Sequence, residues 1–132
     1  MNNTADYSWL EDYLSAKPGA TRDYKEEWGW HRFKVGGKMF AALMHPGERY
    51  DPAYADKDLI NLKCEPLLAS LWREAHPEVL PGFYADKRTW NSVDLGGNLP
   101  RELLQQMIDD SYSLVFQKLT KKLQREILQA VE

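Results

Sequence analysis

Lys87-Arg88-Thr89-Trp90-Asn91-Ser92-Val93-Asp94-Leu95-Gly96-Gly97-Asn98-Leu99-Pro100 is the stretch that decides the fold. A basic, aromatic entrance leads into an alternating strand over 90–95, Gly96-Gly97 turns the chain, and Pro100 opens a helix. Successive side chains of a strand point to opposite faces. Val93 and Leu95 therefore look inward, leaving Trp90, Ser92 and Asp94 outward. One apolar face and one polar face is the pattern of an antiparallel sheet backed on one side only.

Downstream, the helix from Pro100 to Leu119 is the longest, with Leu103, Leu104, Met107, Ile108, Tyr112, Val115 and Leu119 on one stripe. Thr120 caps a last helix whose apolar positions are Leu123, Ile127, Leu128 and Val131. Upstream, Pro66 opens a helix to about Ala75, and His76-Pro77 and Pro81-Gly82 break the chain, with room for a short strand at 83–86. Leu59 to Cys64 reads as a strand with Ile60, Leu62 and Cys64 inside and Asn61 and Lys63 outside. Residues 45–57 form a long loop rich in Pro, Gly, Asp and Tyr.

Trp30 to Met44 reads as a hairpin about Gly36-Gly37. A primed two-residue turn pairs Phe33 with Phe40 and Arg32 with Ala41. His31, Phe33, Val35, Phe40 and Ala42 then face the core, and Trp30, Arg32, Lys34, Met39 and Leu43 face away. A bulged turn would shift the register and swap these faces. A first helix spans 5–16, capped by Thr4, with Tyr7, Leu10, Tyr13 and Leu14 in helical spacing, and Pro18-Gly19 ends it. The order is α+β: an antiparallel sheet with helices on one face. At 132 residues the chain fits one domain, 1–132, with a core over about 5–119 and a C-terminal helix over about 120–131.

Composition narrows the function. Lys plus Arg number 17 against 20 Asp plus Glu, a net charge of −3, so the strongly basic footprint of many nucleic-acid binders is missing. Charge is nevertheless unevenly spread. Arg32, Lys34 and Lys38 form one basic run and Lys118, Lys121, Lys122 and Arg125 another, whereas acids outnumber bases before residue 32. Cys64 is the single cysteine, excluding an intrachain disulfide and a Cys-rich metal site. The polar N-terminus lacks a secretory signal and no apolar run reaches the ~20 residues of a membrane span. A cytoplasmic protein with no membrane association, monomeric, is expected.

Trp30, Arg32, Lys34, Lys63 and Trp90 share the sheet surface turned away from the helices. Cations among flat rings suit single-stranded nucleic acid, where bases stack and phosphates pair. They equally suit an acidic protein partner. Packing of the two indoles beneath loops, with cations keeping a half-exposed sheet soluble, is the competing arrangement.

Several segments in order resemble the MmcQ/YjbR family of small bacterial proteins. They are Ala16-Lys17-Pro18-Gly19-Ala20, Phe33-Lys34-Val35-Gly36-Gly37-Lys38-Met39-Phe40, Leu62-Lys63-Cys64 and Pro81-Gly82-Phe83-Tyr84. Asp86-Lys87-Arg88-Thr89-Trp90-Asn91, Leu99-Pro100 and Asp110-Ser111-Tyr112 complete the set. The resemblance implies a two-layer sandwich of the YjbR/CyaY (frataxin-like) type and a "double-wing" mode of DNA contact. It makes Lys87, Arg88, Trp90 and Asn91 the leading contact residues, through the family's Lys-x-x-Trp motif. Lys34, Lys38 and Lys63 join them on sheet geometry and matching position, with Arg32 and Trp30 beside them. Binding to DNA is expected to be weak and salt-sensitive, because the chain is acidic overall and its loop 45–57 is long. A packing role for Trp90, with Asn91 bonding backbone, is the alternative.

No catalytic residue stands out, so a non-enzymatic binding module without cofactor or metal is expected. Gly36-Gly37 joins strand to strand, unlike the glycine-rich loop of a phosphate cradle. His31, His45 and His76 lie far apart and not in metal-ligand spacing, and Cys64 reads as a buried strand residue. Asp6, Glu11, Asp12, Asp23, Glu26 and Glu27 suggest the acidic ridge of iron-binding frataxins, but a solvated first helix explains them. The alternatives to DNA binding are a protein-interaction or small-ligand module using the Tyr-bearing loop, and, well behind, metal binding.

Overall fold

A computed structural model describes residues 8–130. Its hairpin is built on Gly36 and Gly37, whose φ values of 58° and 80° are what a primed turn demands. The turn joins β2 (Trp30–Val35) to β3 (Lys38–Met44). Val35 pairs with Lys38 and Lys34 with Met39, as the primed turn requires. A β-bulge then intervenes, and Phe33 faces Ala41 and Arg32 faces Ala42. Phe40 is the extra residue, so every β3 side chain beyond it changes face. Leu43 packs with the helices and Ala42 on the opposite side, the reverse of the sequence expectation. The bulge itself is stitched by Ser111, whose hydroxyl donates to the Phe40 carbonyl at 2.6 Å and accepts from the Lys63 N–H at 2.8 Å. Buried backbone groups freed from the ladder thereby keep partners.

The sheet has six strands in the order β1-β2-β3-β4-β6-β5, all pairs antiparallel. β4 is Leu59–Lys63 and β6 is Trp90–Asp94. The two edge strands, β1 (Ala20–Lys25) and β5 (Val79–Pro81), were not foreseen. β1 is Ala-Thr-Arg-Asp-Tyr-Lys, exposed or half-exposed throughout, so no apolar alternation marks it. β5 is three residues long and ends on Pro81, a residue that edge positions tolerate. The strand anticipated at 83–86 does not form. Instead this segment leaves the sheet at Gly82, where a Cβ would stand 2.8 Å from the Trp90 Cβ, and Tyr84 has a positive φ of 49°.

Helices α1 (Leu10–Ser15), α2 (Pro66–Ala75), α3 (Arg101–Gln117) and α4 (Lys121–Ala130) all send side chains to one face of the sheet. The expected start of the first helix near residue 5, its Thr4 cap and Tyr7 lie outside the described residues, as does Val131. Phe33, Val35, Phe40, Ile60, Leu62 and Val93 meet Leu14, Leu104 and Ile108 in a dry core. Burial of each such side chain contributes roughly 1.5–3 kcal/mol. Tyr112 donates from its hydroxyl to the Pro18 carbonyl at 2.5 Å and thereby ties α3 to the turn after α1. Thr120 caps α4 as anticipated, accepting from the Leu123 N–H at 3.1 Å.

The opposite face is covered too, by loops. Trp30, Ala42, Met44, Leu59 and Phe83 are buried there, with Met39, Tyr50 and Tyr54 packed against them. Asn61 and Ser92 do face away from the helices, yet both are fully buried.

Candidate functional site

The structure disperses the residues singled out from sequence. Asp23, on the unforeseen edge strand, takes the Arg32 guanidinium in a two-pronged ion pair at 2.7 and 2.9 Å and Lys34 at 3.2 Å. The Arg32 hydrogen bond, with Lys34 behind it, holds the Asp23 carboxyl down at about 2. Trp30 is buried beneath the edge of Trp28, ring centroids 5.3 Å apart. Asn91 is fully buried on the helix side, where its amide donates to the Ala69 carbonyl and its oxygen accepts from Arg73 at 3.1 Å. It clamps α2 to β6 and offers nothing to solvent. Arg88 pairs with Asp86 inside its own turn at 3.2 Å, and Lys87 donates to the Gly82 carbonyl at 3.0 Å.

Lys38 and Lys63 are brought together, with Lys118 from the end of α3. Burial first, and then the charges of Lys118 and Lys38, lower the Lys63 ammonium from its ordinary pKa. Lys63 is the cross-strand neighbour of Trp90. These lysines mark one end of the sheet, away from the Arg32–Asp23 pair.

What sequence reasoning did not assemble is a cleft of about 790 Å³ on the loop-covered face. Its rings are Trp28, Trp30, Tyr50, Phe83, Tyr84 and Trp90, with Met39 and Met44 between them. A hydrogen-bonded floor sets the geometry. Asn61 donates from its amide to the Phe83 carbonyl at 3.0 Å, Ser92 accepts from the Phe83 N–H at 2.9 Å, and the Ser92 hydroxyl donates to the Asn61 oxygen. This explains why two polar residues on the outer face are buried: they hold segment 82–86 down against the sheet. Tyr54 fastens the long loop to the same segment by donating to the Pro81 carbonyl at 2.7 Å.

The rings have fixed mutual geometry. Phe83 and Tyr84 stack at 4.5 Å, and Tyr50 meets both edge-on at 5.4 and 5.9 Å. Tyr84 combines 71% exposure with a positive φ, and Trp28 is 56% exposed. A large exposed ring in the left-handed region is the kind of backbone strain that ligand clamps retain. The usable signals in the sequence were the abundance of Trp and Tyr and the Tyr-bearing loop. The wall built by Glu27–Gly29, at the β1–β2 turn, had no signal without β1.

A smaller cleft of about 400 Å³ adjoins the first, sharing Gly29, Met44 and His45. Among the described residues no cluster of three or more His, Cys, Asp or Glu could hold a metal ion. Three of the acidic residues singled out from sequence are in ion pairs: Glu11 with Arg22, Asp23 with Arg32 and Glu27 with Lys25. Asp6 lies outside the described residues. Burial raises the Cys64 thiol above its ordinary pKa. No described helix is long and apolar enough to cross a membrane.

An antiparallel sheet with helices on one face and an aromatic cleft on the other defines a small α+β protein. The chain belongs to the YjbR family, whose model matches residues 15–114. It is 31% identical over 122 residues to Escherichia coli YjbR, described as an uncharacterised protein, covering 92% of this chain and 97% of that one. It is 34% identical over 95 residues to Escherichia coli YbdF, also described as uncharacterised, covering 72% of this chain and 71% of that one. A crystal structure of a Deinococcus radiodurans protein superposes with a TM-score of 0.74 at 29% identity, covering 89% of this chain and 84% of that one. A Pseudomonas syringae protein superposes with a TM-score of 0.72 at 26% identity, covering 83% and 98%. The α+β class and the family expected from sequence are thus both found.

Proposed function

We propose that the protein is a ligand-binding module whose ligand presents a flat ring system to the aromatic cleft. The observation that carries this reading is the convergence of six rings on one concavity, held open by the buried Asn61–Ser92–Phe83 network. Its volume lies within the roughly 300–1,000 Å³ of small-molecule sites, and such sites are mostly apolar with few placed polar groups.

The tryptophans supply the test. Trp28, Trp30 and Trp90 line the cleft, whereas Trp9 lies under Arg101 and Trp72 beside His76. Titration with naphthalen-2-ylmethanol, followed by the indole N–H resonances, should shift the first three and leave Trp9 and Trp72 in place. Uniform or absent shifts reject the cleft.

DNA contact is a second reading, favoured by the placement of Lys63 where it feels the charges of Lys118 and Lys38. Phosphate neutralisation by this trio requires log affinity for duplex DNA to fall with log salt by about 0.9 per phosphate contacted. No binding at low salt rejects this reading. An acidic protein surface would meet the same lysines.

A further inference from the structure

We infer that the occupant of the cleft is a planar aromatic anion, an arene bearing a carboxylate or comparable oxyanion, and that Arg49 at the rim pairs with its negative group. This rests on the cleft reading above and adds the charge of the ligand. Glu27, His45, Arg49 and Asp86 are the ionisable groups of acidic or basic character along the lining. Glu27 already has Lys25 at 3.0 Å and Asp86 has Arg88 at 3.2 Å. His45 has Asp58 at 2.9 Å and Asp56 at 3.9 Å.

Arg49 alone among these lacks an ion-pair partner among the described residues, and its guanidinium lies over the Tyr50 ring at 5.8 Å. A guanidinium stacked on a ring keeps its donor fork free at the edge, and that fork matches an oxyanion in two-pronged fashion. An aromatic body in the cleft would place such a group at the rim.

The opposite choice, an organic cation caged by rings, finds favoured ring faces already in use. Lys25 and Arg32 lie over Trp28 at 5.4 and 5.6 Å, and Arg49 itself occupies Tyr50. A further cation there would meet like charge instead of a bare ring quadrupole.

Three isosteric compounds test this on the full chain by isothermal titration: 2-naphthoate, naphthalen-2-ylmethanol and naphthalen-2-ylmethylammonium. The naphthoate should bind roughly fivefold tighter than the alcohol, as a solvent-accessible charge-assisted pair allows, and the ammonium more weakly than either. Arg49→Gln should abolish the preference of naphthoate over alcohol, and Arg49→Lys should restore part of it. An exposed rim residue can be replaced without loss of fold, and an unchanged melting temperature checks this. Equal binding of naphthoate and alcohol, or a preference that survives Arg49→Gln, overturns the anion while leaving the cleft standing. Failure of all three compounds to bind removes the cleft reading and the anion with it.

Discussion

The two faces of one sheet solve burial differently. On the helix side, Phe33, Phe40, Ile60 and Val93 lie fully buried under α1 and α3. On the loop side, Trp30 and Phe83 are buried beside a polar floor of Asn61 and Ser92, yet a cleft of about 790 Å³ remains. A helix covers continuous rows of strand residues and fills the space between them. A loop touches the sheet where hydrogen bonds pin it and bridges the rest. The most spacious of the clefts therefore belongs to the loop face. Phe40→Ala probes the contrast most severely. It should lower unfolding free energy in urea by about 3–5 kcal/mol, and loss below about 1 kcal/mol would mean the helix face is not the rigid one.

Asn61→Ala is the matching change on the loop side. It strips the Phe83 carbonyl and the Ser92 hydroxyl of buried partners, which should cost about 1–3 kcal/mol. It should also release segment 82–86 and weaken naphthalen-2-ylmethanol binding, an effect Phe40→Ala should not show in protein that remains folded. Stability loss without loss of binding would separate the floor from the cleft.

This contrast also explains what the sequence disclosed. Helix-face residues announced themselves by periodicity: Leu104, Ile108 and Val115 on α3, and Val93 on β6, were placed correctly from spacing alone. The Gly36-Gly37 turn fixed the first hairpin pairs. The bulge at Phe40 was illegible because its partner, the Ser111 hydroxyl, lies 71 residues away, and only tertiary structure brings the two together. The same holds for Asp23, whose strand has no alternation, and so Arg32 and Lys34 looked free until β1 was seen beside them. Asn61 and Ser92 looked like surface residues, since nothing local says that a polar strand residue is roofed by a distant loop, whereas for Asn91 the alternative of bonding backbone is the arrangement found. Of the cations expected to share one surface, Arg32 and Lys34 turn to Asp23, whereas Lys63 lies within reach of the charges of Lys38 and Lys118.

Exposed cleft rings should behave unlike either core. Trp28→Ala and Tyr84→Ala remove side chains 56% and 71% exposed, so stability should change by no more than about 0.5–1 kcal/mol. Affinity for the naphthalene probe should nonetheless fall severalfold, since base- or arene-stacking on a ring contributes about 1–3 kcal/mol. Unchanged affinity would confine any binding to the buried portion around Trp30 and Phe83.

The smallest effect on folding, and the sharpest on function, is expected from Asp23→Asn. In the folded chain the Asp23 carboxyl is held at about 2 against an ordinary value of 3.8. A depressed carboxyl contributes stability that is complete above its unfolded pKa and disappears as pH falls through the folded one. Acid unfolding of the wild type should therefore steepen between about pH 4 and pH 2, whereas the Asn variant should melt slightly below the wild type at pH 7 and lack that acid-side portion, the two converging as pH falls to about 2. The same change frees Arg32 and Lys34 from their shared carboxylate and raises positive charge on the outer strand. If the basic residues contact nucleic acid, low-salt affinity for DNA should rise and its salt slope steepen. If the aromatic cleft is the site, DNA affinity should stay flat while binding of the naphthalene alcohol is untouched. One substitution thus sets Arg32 and Lys34 on β2 against the ring-lined hollow through two affinities measured on the same variant.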